Sequence, residues 1–169
     1  GAKRTIDAEG LVLSPGFIDA HAHSDFAIIH NPPSQSQVAQ GVTTEVSCNC
    51  GKSPFPVLPN PLPLKNIADT VWTTPKDYWK SAAHYFELLK TQGIGINTFP
   101  LVGHNSVRAK VLGMDNRPCT DDELRQMKEL VAEAMELGVP GFSSGLTYTP
   151  GMGATNEEIV ALAQVVSEY

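Results

Sequence analysis

The chain has 169 residues, 41% hydrophobic and 18% charged, which suits one ordinary globular domain and excludes a disordered tail. Twelve basic against eighteen acidic residues give a formal net charge of -6, so no electrostatic pull toward nucleic acid or an anionic membrane surface is expected. A run of about 18 apolar residues, the length that spans a bilayer, is absent, as is a basic-then-apolar leader. The Gly1-Ala2 opening, without methionine, suggests a processed or trimmed start. Cys48 and Cys50 lie too close to pair without strain, and an odd count of three leaves a thiol over. A reducing, cytoplasmic setting follows as the expectation.

In chain order, Arg4 to Leu13 reads as short extended stretches around a turn at Asp7 to Gly10. Pro15-Gly16 restarts the chain, and Phe17 to Ala20 is a short apolar strand running into His21-Ala22-His23. Ser34 to Gln40 suits one or two helical turns stopped by Gly41, and Thr43 to Ser47 is the next strand. Between Lys52 and Lys65 stand Pro54, Pro56, Pro59, Pro61 and Pro63, which forbid helix interior or central strand. That segment, 52–65, is read as a surface excursion, with a lid over a site at Cys50 as the alternative.

A helix is expected from a Thr74 cap with Pro75 in its first turn, burying Tyr78, Ala82, Tyr85, Phe86 and Leu89 and ending at Gly93. Ile94 to Phe99 is a strand and His104 to Val111 a short helix. Thr120 and Glu123 have capping-box spacing, Leu124, Met127, Val131, Ala134 and Met135 make the buried face behind them, and Gly138 stops that helix. Val139 to Ser143 is the fourth strand, and Thr155 with Glu158 repeats the box before a last helix. Strands alternating with helices mean a parallel sheet with helices outside. A closed (β/α)8 TIM barrel needs about 250 residues and eight strands. Four strands therefore imply an α/β fold that is the amino-terminal half of such a barrel, incomplete, over residues 15–169, with residues 1–14 as the remnant of a small β domain.

His21 and His23 stand two apart at a strand exit, so alternation points both imidazoles the same way while Ala22 turns back. Barrel enzymes keep their chemistry at this end, and neutral imidazole suits zinc. Cys50, just past the neighbouring strand, could add a thiolate to the same ion or be an ordinary thiol. Cys48 is read as a small buried hydrophobe and Cys119 as structural. His104, after Gly103, could line the same mouth or bond within the fold, with Arg108 a turn later as a partner for a buried carboxylate. Tyr148, after the fourth strand, could bond a substrate carboxylate or anchor its Gly-Pro loop. No phosphate-binding glycine motif occurs.

The block Pro15-Gly16-Phe17-Ile18-Asp19-Ala20-His21-Ala22-His23-Ser24-Asp25 resembles the first-strand signature of the metal-dependent amidohydrolase superfamily. Three further blocks are similar to its D-aminoacylase (N-acyl-D-amino-acid deacylase) family: Gly41 to Val46 leading to Asn49-Cys50-Gly51, Leu101 to Asn105 with Arg108, and Gly141 to Tyr148 with Pro150-Gly151. The resemblance implies a zinc enzyme hydrolysing the linear amide of a small-molecule N-acyl-D-amino acid. It implies His21, His23 and Cys50 as metal ligands and Tyr148 on the substrate's α-carboxylate; His104 is placed on the substrate side by its position after the third strand.

By the same resemblance, further histidines come from strands five and six and the catalytic aspartate follows strand eight, so this chain alone is expected to be inactive. Asp19 and Asp25 are given the lesser task of orienting the histidines. An open half-barrel exposes strand edges and apolar faces, so a homo-oligomer or association with the missing half is expected. The alternatives are a cyclic-amide hydrolase of the dihydroorotase or hydantoinase type, and a truncated, non-catalytic piece.

Overall fold

The computed structural model describes residues 1–58 and 79–169. Val42–Ser47, with three β-branched residues ahead of Glu45, forms the longest strand, and the first sheet is built on it. Phe17–Asp19 (β1) pairs with it (β2) in parallel, and so does Asn97–Pro100 (β3) on its other side. Val102–Gly103 (β4) and Phe142–Ser143 (β5) form a second, two-stranded parallel sheet.

The expected third strand is thus divided. Pro100 has no N–H to donate, the Leu101 amide turns to the Ser47 carbonyl at 3.1 Å, and the Val102 amide turns the other way, to Gly141 at 2.9 Å. One stave serves two sheets. Taken in chain order, the four staves are the arc of an unclosed, barrel-like α/β fold.

Parallel neighbours need crossovers, and helices supply them. Between β1 and β2 lie Ala27–His30 (α1) and Gln35–Ala39 (α2), between β2 and β3 Ala82–Gln92 (α3), and between β4 and β5 His104–Leu112 (α4) and Asp121–Glu136 (α5); Asn156–Val166 (α6) follows β5. Thr74, Pro75 and Tyr78 lie outside the described residues. The helix itself is capped by Ser81, whose hydroxyl accepts from the His84 amide, and Gly93 closes it at φ +71°. Residues 1–16 form no strand, and their side chains are exposed.

One apolar core joins Tyr85 and Leu89 of α3, Val107 and Leu112 of α4, Met127 and Val131 of α5, and Leu162 of α6. The start of the proline segment enters it. Phe55 is buried against Tyr85 and Phe86, and the Ser53 amide bonds Ser106 Oγ at 2.9 Å. Residues 53–55 are therefore neither surface excursion nor lid; 59–65 lie outside the described residues. Among the described residues no helix is long and apolar enough to cross a membrane. All three cysteines are free thiols.

The capping box at α5 forms in both directions: Thr120 Oγ1 accepts from the Glu123 amide at 3.3 Å, and Glu123 Oε2 accepts from the Thr120 amide at 2.8 Å. Thr120→Ala should cost about 1 kcal/mol in urea unfolding. No measurable loss would mean that Arg117, which grips Glu123 with both amino groups, holds that helix end without the box.

Candidate metal centre

At the exit of β1 the chain turns outward, and His21 and His23 stand exposed on one side while Ala22 is buried behind them. Their rings meet edge to face, centroids 5.3 Å apart. From the exit of β2, Cys50 Sγ reaches to 3.4 Å from His21 Nε2. The ligand atoms of His21, His23 and Cys50 all lie within 4.8 Å of one another. A tetrahedral ion with arms of ~2.0 Å to nitrogen and ~2.3 Å to sulfur sets such atoms about 3.5 Å apart. The group fits zinc in donor type, and the sulfur-to-nitrogen spacing already matches.

Partial burial, then the charges of His21 and Lys52, hold His23 below the ordinary imidazole range, which favours its neutral, ligating form. The aspartates act on backbone rather than on the rings. Asp19 Oδ1 accepts from the His21 amide at 3.0 Å, and Asp25 Oδ1 accepts from the Cys48 amide at 3.4 Å. The expectation that they orient the imidazoles is corrected in that sense. Burial pushes the Asp25 carboxyl up to about 6, against the pull of the Asp25 and Cys48 amides. Cys48 is the expected buried thiol, and burial, with Asp25 beside it, raises its pKa strongly.

The Cys50 loop is tied to the rest of the mouth. Asn49 Nδ2 donates to the Val46 carbonyl at 2.8 Å and the Ala22 carbonyl at 3.4 Å, which joins the two strand exits. Asn105 Nδ2 donates to the Gly145 carbonyl at 3.1 Å and the Cys50 carbonyl at 3.5 Å. A Cβ on Gly145 would overlap the Cys50 carbonyl. Gly145→Ala should therefore cost about 1–3 kcal/mol and push the Cys50 turn outward. Thermal melting and a zinc titration check this, and wild-type values in both would contradict it.

Gly145 also begins the turn that ends in Tyr148, which is 43% exposed. Lys52 Nζ sits 4.1 Å from the Tyr148 ring centroid, a cation over an aromatic face. Among the described residues no carboxylate pairs with Lys52.

His104 is placed elsewhere. Its ring is fully buried, with Nε2 2.7 Å from Glu158 Oε1 and Nδ1 3.4 Å from the exposed Ser144 hydroxyl. Arg108 Nη1 meets the other Glu158 oxygen at 2.5 Å, so the expected carboxylate partner of Arg108 is Glu158. The second capping box is only half formed: Thr155 accepts from the Glu158 amide, but the Glu158 carboxylate turns inward to the His104 ring and the Arg108 guanidinium. Burial works against its ionisation, yet hydrogen bonds from His104, Arg108 and Cys119 prevail and hold its pKa at about 2. Sequence reasoning gave no role to Lys52, Asn49 or Asn105 and missed this use of Glu158. Asn49 and Asn105 stood within the resemblance blocks, and Lys52 is a charge two residues beyond Cys50.

The amidohydrolase family profile matches residues 4–168 of this chain. The chain belongs to the amidohydrolase family, and its sequence and structure match the D-aminoacylase branch of it. It is 34% identical to a D-aminoacylase of Alcaligenes xylosoxydans xylosoxydans over 99% of its own length and 34% of the relative's. With the N-acyl-D-glutamate deacylase of the same organism it shares 36% identity, over 98% of this chain and 33% of the other. Among solved structures it is similar to the N-acyl-D-glutamate deacylase of Bordetella bronchiseptica, in complex with zinc and a phosphonate mimic of the tetrahedral intermediate. That likeness has a TM-score of 0.78 and 35% identity, covering 91% of this chain and 32% of that one. The chain spans about a third of the length of the relatives it matches.

Proposed function

We propose that this chain forms the His21, His23 and Cys50 part of a zinc centre in an enzyme that hydrolyses the linear amide bond of N-acyl-D-amino acids. The observation that carries the reading is the convergence of two imidazoles and a thiol from neighbouring strand exits. The kinship with deacylases of N-acyl-D-amino acids supports the substrate class. Zinc held there would supply polarisation of the acyl carbonyl and a nucleophilic water at neutral pH.

The chain's own residues do the holding. Asn49 keeps the two strand exits together, and Lys52 with the Tyr148 phenol offers a cationic, hydrogen-bonding rim for the substrate's α-carboxylate. The exposed Ser144 hydroxyl, 3.4 Å from His104 Nδ1, opens the loop that carries Tyr148, so any action of the buried His104 on substrate would pass through it. Among the described residues no carboxylate joins the ligand group, and the carboxylate that carries the proton to the departing amine would come from the remainder of the barrel. Phe17 and Ile18 on the β1 edge, 60% and 69% exposed, are apolar surface that the remainder of a barrel or a second copy would cover.

The test is hydrolysis by zinc-loaded protein that includes the complete barrel, on N-acetyl-D-amino acids, their L-enantiomers and a hydantoin. Preference for the linear D-substrates is expected; preference for the hydantoin overturns the reading in favour of a cyclic-amide hydrolase. The 169-residue chain alone is expected to bind zinc without turnover. Turnover at a full enzyme's rate would show that a proton carrier is present after all.

A further inference from the structure

Ser143 ends β5, in a different sheet from the strands that deliver His21, His23 and Cys50, yet its hydroxyl spans the turn around Cys50. Its Oγ donates to the Cys48 carbonyl at 2.6 Å and accepts from the Gly51 amide at 3.1 Å. Cys50 lies between these two anchor points. Within the turn, Cys48 and Cys50 both hold left-handed backbone, at φ +64° and +57°. Such conformations cost of order 1 kcal/mol or more for residues other than glycine and persist only where the surroundings enforce them.

Other groups hold one end of this turn or the other: Asp25 takes the Cys48 amide, while Asn105 takes the Cys50 carbonyl with its side chain and the Gly51 carbonyl with its amide at 2.7 Å. Among the described residues, Ser143 is the side chain that bonds both ends. It spends its one proton and a lone pair on them, in a buried place where water cannot substitute. The histidines are secured separately, since the Ala22 amide between them bonds the Val46 carbonyl at 3.0 Å. The sulfur can therefore be lost without the imidazoles.

We propose that Ser143 is a positioning residue for the Cys50 thiolate: its hydroxyl closes the Cys48–Gly51 turn and keeps Sγ on the ion that His21 and His23 hold, without touching ion or substrate. The inference rests on the metal-centre reading above. Without the hydroxyl, the Cys48 end is no longer tied to the Gly51 end that Asn105 holds, and the Cys50 backbone can relax from its left-handed conformation and turn the sulfur away.

Cobalt in place of zinc reports the two ligand types separately, through a near-ultraviolet sulfur-to-metal charge-transfer band and the visible ligand-field bands. The experiment titrates the 169-residue chain and its variants with Co²⁺, with thermal melting to establish that each is folded. Ser143→Ala should bind cobalt about 10- to 100-fold more weakly and lose most of the charge-transfer intensity per bound ion, with ligand-field bands remaining. The isosteric pair Ser143→Thr and Ser143→Val controls for bulk and for any cavity left by alanine. The threonine variant should keep the band and the valine variant lose it.

Wild-type band and affinity in Ser143→Ala, or identical behaviour of the threonine and valine variants, would overturn the assignment. Cobalt bound by the unaltered chain with no sulfur band at all is a different failure. It would remove Cys50 from the centre, and this inference with it.

Discussion

Replacing Cys50 with serine should weaken zinc binding by about 100-fold. Four-ligand structural sites bind zinc with roughly 10–16 kcal/mol, about 3 kcal/mol for each ligand, and that converts to a factor of about 100. The hydroxyl has the right position but neither the softness nor the accessible anion of a thiolate. Competition against a chromophoric chelator gives the affinity directly. Cys119→Ser is the control, because Cys119 belongs to the Glu158 cluster and not to the ligand group. Affinity should also fall as the solution is acidified, since protons compete with the metal for sulfur and imidazole. An unchanged affinity in Cys50→Ser would remove the thiolate and leave two histidines, too few for a zinc centre within this chain.

Removal of the Glu158 carboxylate should be the most damaging single change to stability. Glu158→Ala leaves the buried Arg108 guanidinium with the Pro150 and Arg117 carbonyls but no counter-charge, and His104 Nε2 with no partner, which costs about 3–5 kcal/mol. Domains of this size are stable by about 5–15 kcal/mol, so urea unfolding should show a large shift of the midpoint or outright loss of the fold. The acid limb of the stability profile checks the same cluster. Glu158 is held at about 2 in the folded chain, below its ordinary 4.5. A carboxyl depressed on folding contributes in full above its unfolded value and loses that contribution as pH falls through the folded one. About 3 kcal/mol should therefore disappear between roughly pH 5 and pH 2. In Glu158→Gln that limb should flatten, and an unchanged limb would mean that other carboxyls set the acid sensitivity.

The alternation that places His21 and His23 side by side is a local property, written two residues apart, and it was legible. So were the Thr120–Glu123 box, the Gly138 stop and the stripe of Met127, Val131 and Ala134, all set by contacts within about one turn of helix. The placement of Cys50 beside them needed only the rule that neighbouring staves of a parallel arc end side by side. Where a residue had two local uses, reading along the chain failed. Glu158 has box spacing to Thr155, but three partners elsewhere outbid the helix end for its carboxylate. Phe55 sits among prolines that suggest a surface path, yet its ring is drawn into the aromatic cluster with Tyr85 and Phe86.

By itself, the order of residues determined the alternation of parallel strands with helices, the ends of the Asp121–Glu136 helix and the identity of the candidate ligands, because hydrophobic period, caps and breakers act over a few residues. Only the tertiary structure decided what holds those ligands in place. The Ser143 contacts with the Cys50 turn join residues 92 and 95 positions apart, and the Asn105 side-chain contact spans 55. Bonds over such separations depend on how the staves and helices pack, and they leave no pattern in the local sequence.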